Sequence, residues 1–326
     1  MTSPVRGAGR AVEEGCFVDV AGSEHWITLR GADTANRALL ILGGPGAAFT
    51  RMAPFFAPWE RDFTLVQWDQ PGGGATCARN GEMALSLDGL AADAARIAEI
   101  ACQRLGAQKL VVLGVSGGSI LGLKLARARP DLVAAYVGTG QIVHWGRQSA
   151  LGYRSALDAA GARGDAAAVT ALEGVGPPPY SGLAAEMTFS QHVNVQTAAE
   201  RAEFASLDAA IAAALATPPA GASYVPAGLA LPDGRERGLA AYVALRSEIA
   251  AFDAWDLGLS YQVPMLFLQG EADLYTPTAE VERFVADIEA SAKHVTLIPG
   301  GGHSAAFLRE PFLAALREQL APVLST

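Results

Sequence analysis

Short runs of consecutive apolar residues, each closing in a cluster of glycines, alternate along this chain with stretches whose apolar positions recur at helical spacing. Ala38-Leu39-Leu40-Ile41-Leu42 ends in Gly43-Gly44-Pro45-Gly46, and Thr64-Leu65-Val66-Gln67-Trp68 ends in Asp69-Gln70-Pro71-Gly72-Gly73-Gly74. Runs this short and this uniformly apolar predict strands buried on both faces. From Leu85 to Leu105 the apolar positions (Leu87, Leu90, Ala94, Ile97, Ile100, Ala101, Leu105) predict a helix that stops at Gly106. Further strands are predicted at Lys109–Leu113, Ala134–Val137, Pro264–Gln269 and His294–Pro299, and helices at Pro277–Ser291 and from about Ala305 to Leu320. Ahead of them, Cys16–Val20 and Glu24–Arg30 alternate around Ala-Gly-Ser and predict a β-hairpin at the sheet edge. Helices alternating with buried strands imply an α/β fold, a mostly parallel sheet covered on both faces.

That alternation breaks after Gly140. From Gln141 to about Gly258 the chain is Ala-rich and helical in period, interrupted by Gly176-Pro177-Pro178-Pro179-Tyr180, Pro218-Pro219 and Ala230-Leu231-Pro232-Asp233-Gly234. The pattern divides the chain into a first core part (residues 1–140), a helical cap inserted over the strand ends (141–258) and a second core part (259–326).

The stretch Lys109–Ala126 carries the chemistry. Its strand runs into Gly114-Val115-Ser116-Gly117-Gly118 and then into helical spacing, which is G-x-S-x-G in a strand-turn-helix context. So sharp a reversal brings the flanking backbone close together, hence the elbow glycines Gly114 and Gly118, and it presents the Ser116 hydroxyl at the apex. A serine hydroxyl is a weak nucleophile that needs a base and an orienting acid. In an open α/β sheet the crevice lies beyond the carboxyl ends of the strands. Two later strands end in titratable loops, Gly270-Glu271-Ala272-Asp273 and Gly300-Gly301-Gly302-His303. Asp273 is therefore the candidate acid, with Glu271 as its alternative, and His303 is the candidate base. Of the other histidines, His25 falls in the hairpin, His294 starts a strand at its opposite end, and His144 and His192 lie in the insertion. An oxyanion hole needs one amide after the nucleophile, that of Gly117, and one from an early strand loop, here Gly43-Gly44-Pro45-Gly46.

Composition narrows the function classes. Lys+Arg 24 against Asp+Glu 33 gives a net charge of −9, which disfavours nucleic acid and anionic membrane surfaces as partners. Hydrophobic residues at 51% and charged ones at 17% fit a compact chain of 326 residues. No stretch approaches the roughly 18 apolar residues of a membrane span, and residues 1–15 hold no apolar leader core, so a soluble cytoplasmic protein is expected. Cys16, Cys77 and Cys102 are scattered without C-x-x-C spacing, so neither a disulfide framework nor a thiolate metal site is expected, and no His/Cys/carboxylate cluster has metal spacing. Gly300–Ala305 matches G-x-G-x-x-A formally but has no room for a following βαβ unit, which argues against dinucleotide binding.

With Gly-Gly-Pro-Gly after the third strand, Gln67-Trp68-Asp69-Gln70 before a glycine run, the Ser116 elbow, Asp273 and His303, the chain resembles the α/β-hydrolase superfamily, in particular its proline iminopeptidase-like branch. The resemblance implies cofactor-free hydrolysis through an acyl-enzyme, with Ser116 as nucleophile, His303 as base and then acid, Asp273 as its orienter, and the amides of Gly44 and Gly117 as oxyanion hole. It implies a small-molecule or short-peptide substrate, with aminopeptidase action as the first expectation and a carboxylesterase or amidase as the alternative. A catalytically silent ligand-binding homologue is the alternative of another class. The chain departs from the branch at Leu42, where a histidine is usual, at Pro71, where an arginine is usual, and at Gly117, where a tryptophan is common. The last departure predicts open space beside the nucleophile. The branch also uses cap carboxylates to hold a free amino terminus; Glu173, Glu186, Glu200, Glu203, Glu236 and Glu248 are the acids available for that role.

Overall fold

A computed structural model describes residues 9–216 and 224–324. The first strand, β1 (Val12–Val20), begins four residues ahead of the expected Cys16 and pairs along its whole length with β2 (Ser23–Gly31). Ala21 and Gly22, both at positive φ (52° and 88°), form the two-residue turn between them. Consecutive positive φ values are what matches a tight turn to the twist of an antiparallel ribbon.

The remaining elements alternate. β3 (Arg37–Leu42) leads through α1 (Ala53–Phe56) to β4 (Phe63–Trp68), and α2 (Gly74–Asn80) and α3 (Leu87–Leu105) lead to β5 (Leu110–Val115). α4 (Gly118–Ala128) and β6 (Val133–Thr139) follow. Five helices then separate β6 from the next strand among the described residues: α5 (Trp145–Ala162), α6 (Ala166–Val175), α7 (Leu183–Val193), α8 (Ala198–Ala216) and α9 (Gly234–Ala251). β7 (Met265–Gly270), α10 (Thr278–Asp287), β8 (Lys293–Ile298) and α11 (Arg309–Leu324) complete the chain.

The eight strands form one sheet in the order β1-β2-β4-β3-β5-β6-β7-β8, antiparallel at β1/β2 and β2/β4 and parallel from β4 onward. Period-2 alternation sends successive side chains to opposite faces. Leu40, Val112, Tyr136 and Phe267 meet α3, α4 and α10 on one face, through Ile97, Leu121 and Phe284. Leu39, Val111, Leu113 and Leu266 meet α1 and α11 on the other, through Phe55 and Phe312. Trp59 stacks on Phe312 there at 5.9 Å and 2°.

Two helices differ from their periodicity. α10 stops at Asp287 rather than Ser291 because Ile288 turns extended and buries its side chain, while Glu289 exchanges backbone hydrogen bonds with Leu259 and Tyr261. The last helix starts at Arg309, with Ala305–Phe307 forming a separate 3-10 turn. α1 and α2, each under two turns or so, are too short to leave a readable period.

Candidate active site

Parallel register gathers the site. Leu42 pairs with Gly114, Val115 with Thr139, and Gly270 with Ile298, so the loops leaving β3, β5, β6, β7 and β8 emerge at one edge of the sheet. Ser116 leaves β5 with φ +53°, a left-handed conformation that costs a residue with a Cβ about 1–2 kcal/mol. The fold holds it there. The Ser116 amide donates to the Thr139 carbonyl (2.9 Å), and its carbonyl accepts from the Ser119 amide (2.8 Å). A Cβ at Gly118 would lie 2.0 Å from the Leu42 carbonyl oxygen and one at Gly114 2.7 Å from Ser119 Cα, so both elbow glycines are required by close approach.

The structure brings Ser116, His303 and Asp273 into one line. His303 Nε2 lies 2.8 Å from Ser116 Oγ, and His303 Nδ1 lies 3.1 Å from Asp273 Oδ2. Asp273 is buried, which by itself would raise its carboxyl. The facing His303 and the hydrogen bonds from His303 and Thr276 outweigh burial and hold it below the usual carboxylate range. Oδ1 accepts the amides of Tyr275 and Thr276 (2.9 Å each), and Oδ2 accepts the Thr276 hydroxyl at 2.6 Å. An ionised Asp273 accepts a hydrogen bond from Nδ1–H of His303, a tautomer that leaves the Nε2 lone pair facing the Ser116 hydroxyl. Glu271, the alternative acid, instead accepts the Gly300 amide at 3.2 Å.

Several neighbours of His303 went unread in the sequence. Gly140, at φ +52°, makes room for the imidazole: a Cβ there would lie 2.9 Å from His303 Cε1 and 3.1 Å from Nδ1. Tyr275 presents its ring edge-on to His303 (4.7 Å, 69°) and itself packs against Trp145 of α5 and Phe189 of α7. Glu200, fully buried at the start of α8, accepts the amide of Gly302 at 2.8 Å. It also closes a capping box with Thr197, each residue's amide donating to the other's side chain. The T-x-x-E pattern was a readable signal for that helix start, though not for its reach to the His303 loop.

Gly44 and Gly117 adjoin each other: a Cβ at Gly117 would lie 3.1 Å from Gly44 Cα. Neither amide makes a backbone hydrogen bond to a described residue. The expected open space beside Gly117 is not there. The same Cβ would meet Pro45 Cδ at 2.8 Å, so the proline of the first loop closes the volume that a tryptophan would need. The loop itself is clamped from the β4 side. Gln70 Nε2 donates to the Gly43 carbonyl (2.9 Å) and the Gln70 amide to the Ala47 carbonyl (2.9 Å), while buried Asp69 accepts from Thr50 and Ala75.

Of the acids in the inserted helices, Glu186 accepts from Arg246 Nε (2.7 Å) and the Tyr242 hydroxyl (3.1 Å). It lines a cavity of about 200 Å³ with Met187, Ser190, Leu239, Tyr242 and Tyr275. Glu248 accepts the Leu87 amide, and Glu173 and Glu236 are exposed. Among the other histidines, buried His25 accepts from Trp68 Nε1 at 3.2 Å and His144 caps α5. Among the described residues, no group of three or more His, Cys, Asp or Glu side chains could hold a metal ion, and no helix is long and apolar enough to cross a membrane.

Known proteins share this fold. A probable aminopeptidase of Bacillus subtilis, YbaC, is 24% identical over 302 residues, covering 91% of this chain and 92% of its own. A proline iminopeptidase-related protein from Thermus thermophilus superposes with a TM-score of 0.64 at 20% identity, over 96% of this chain and 99% of its own. An esterase from Rhodococcus sp. ECU1013 superposes with a TM-score of 0.60 at 18% identity, over 95% and 99%. The family model for the alpha/beta hydrolase fold matches residues 39–310, from β3 to the start of α11, and the chain belongs to that family of hydrolases.

Proposed function

We propose that this protein is a serine hydrolase that cleaves small amide or ester substrates through an acyl-enzyme at Ser116. The hydrogen-bonded line Ser116 Oγ to His303 Nε2 (2.8 Å) and His303 Nδ1 to Asp273 Oδ2 (3.1 Å) carries this reading. As Ser116 Oγ attacks the substrate carbonyl, its proton passes to His303 Nε2, and buried Asp273 offsets the imidazolium charge across Nδ1. The amides of Gly44 and Gly117 receive the oxyanion. Collapse of the tetrahedral species breaks the bond to the leaving amine or alcohol, which takes the proton from Nε2. Water, deprotonated at the same nitrogen, then hydrolyses the acyl-serine and restores the starting state.

For the substrate, aminopeptidase action on a short peptide is the first reading, supported by the names of YbaC and of the Thermus thermophilus protein. Esterase or amidase action without need of a free amine is the second. It is favoured by the acids of the inserted helices: Glu200 is occupied by two backbone amides, and Glu186 by Arg246 and Tyr242. Under both readings, α5–α9 act as a cap over the strand ends.

Ser116→Ala is expected to abolish turnover of p-nitrophenyl acetate and of proline β-naphthylamide and to abolish labelling by a fluorophosphonate. Turnover retained by the folded variant would refute the nucleophile assignment. A proline arylamide compared with its N-acylated form separates the two substrate readings: strong preference for the free amine supports the peptidase, and indifference supports the esterase or amidase.

A further inference from the structure

The Gly43–Gly46 loop has a second side. There a cavity of about 410 Å³ opens between the loop, the turn that follows it and helices α8 and α9. It is joined to the Ser116 turn through the loop itself: Gly44 and Pro45 line the cavity, and they are the residues that a Cβ at Gly117 would strike. Pro45, Ala48, Met52 and Ile211 supply apolar walls, and Gly234 and Gly238 bring α9 against it without side chains. Arg51 is the one charged side chain among its described lining residues.

Arg51 is half-buried and makes no hydrogen bond or ion pair with a described residue. Similarly sheltered arginines in this protein do otherwise: Arg30, Arg37, Arg147, Arg237, Arg246 and Arg309 each reach an acceptor. Two acids feel the Arg51 charge. Asp69 is buried beneath the loop and committed to Thr50 and Ala75, and Asp233 is committed to the amides of Arg235 and Glu236 at the start of α9. Residues 217–223, outside the described set, contain no acidic side chain. A half-buried guanidinium with no partner among the described residues is free to pair with an anion that enters the cavity.

We propose that Arg51 makes this cavity, an arm reaching from the Gly43–Gly46 loop, an anion subsite, and that the protein's substrate carries a carboxylate which Arg51 binds. The proposal deepens the hydrolase reading above and rests on it for the identity of the reaction. A carboxylate suits the site better than a phosphate monoester. One planar guanidinium meets a carboxylate in a bidentate pair and balances its single charge, whereas a phosphate of charge about −1.5 to −2 would go half-neutralised in an apolar arm. A free α-ammonium would be repelled from the same arm. The carboxylate reaches Arg51 either on the acyl part, as in a dicarboxylic hemiester, or on the leaving group, as the C-terminus of a short peptide.

The test is a selectivity ratio. kcat/KM is measured for p-nitrophenyl hemiglutarate against p-nitrophenyl butyrate (acyl side), and for the dipeptide Pro-Gly against Pro-Gly amide (leaving-group side). One of the two pairs is expected to favour the carboxylate, and Arg51→Gln is expected to reduce that preference by roughly 10- to 150-fold, the worth of a charge-assisted hydrogen bond; Arg51→Lys restores part of it. Binding is read without turnover by the thermal shift that glutarate gives the Ser116→Ala protein, which should exceed that of glutaramide and vanish when Arg51→Gln is added. Equal shifts from glutarate and glutaramide, or ratios unchanged by Arg51→Gln, would overturn the subsite. A Ser116 that resists fluorophosphonate would instead overturn the hydrolase reading, and the glutarate shift would still decide the subsite.

Discussion

Replacing Gln70 by leucine should disable one half of the proposed oxyanion hole without touching Ser116, His303 or Asp273. In a trans peptide the carbonyl and the following N–H point in opposite directions. The 2.9 Å bond from Gln70 Nε2 to the Gly43 carbonyl therefore fixes where the Gly44 N–H points. Gln70 is 1% exposed, so no water readily replaces its amide. Removing it leaves the Gly43 oxygen short of a buried donor, at about 1–3 kcal/mol of stability. Complete loss of one oxyanion donor costs about 100- to 1000-fold in kcat. The loss here should be smaller, because the loop keeps the bond from the Gln70 amide to Ala47 and the bond from the Ala47 amide to Gly44. We expect kcat for p-nitrophenyl acetate to fall about 10- to 100-fold with KM nearly unchanged, since a donor aimed at the oxyanion acts in the transition state. Gln70→Glu supplies a second readout. An ionised glutamate cannot donate to Gly43, and a protonated one can, so its activity relative to wild type should recover as pH falls. A Gln70→Leu protein with native circular dichroism and kcat within threefold of wild type would refute the reasoning.

Two further outcomes follow from the same geometry. Gly140→Ala sets a methyl group 2.9 Å from His303 Cε1 at a backbone φ of +52°, so His303 must move; kcat should drop on the order of 100-fold while the protein still folds, and an unchanged kcat would mean that the ring has another seat. Burial raises the Asp69 carboxyl to about 6 against the opposing bonds from Ala75 and Thr50. The folded state therefore holds that proton more tightly than the unfolded one, and stability is lost as pH rises from the unfolded value through 6, by up to about 3 kcal/mol. Urea midpoints should show wild type gaining on Asp69→Asn as pH falls from 7 to 5, and a difference that does not vary with pH would refute the assignment.

The strands, the elbow and the three residues of the hydrogen-bonded line were legible because each signal is local. Apolar runs of five or so residues, glycine clusters at their ends and titratable side chains within those clusters need no knowledge of the rest of the chain. Gln70 was visible only as part of a motif and Gly140 only as the point where the alternation breaks, and Tyr275 and Thr276 not at all. Their roles arise where separate segments meet: Gly140 against His303, Gln70 against Gly43. The space beside Gly117 was misjudged for the same reason. An absent side chain reads as a vacancy in a sequence, but here Pro45, from a loop some seventy positions earlier, fills it.

The buried carboxylate of Glu200 constrains how such a chain can be altered. It satisfies the Gly302 amide in the interior, one residue before His303, from a helix that belongs to the insertion. The inserted helices are thus not freely interchangeable. Exchanging them for those of another hydrolase, to change substrate preference, would strand an amide donor beside His303 unless the replacement delivers an acceptor to the same point. Chimaeras that preserve this one contact should tolerate wide variation elsewhere in residues 141–258, and chimaeras that omit it should lose the histidine's alignment before they lose the fold.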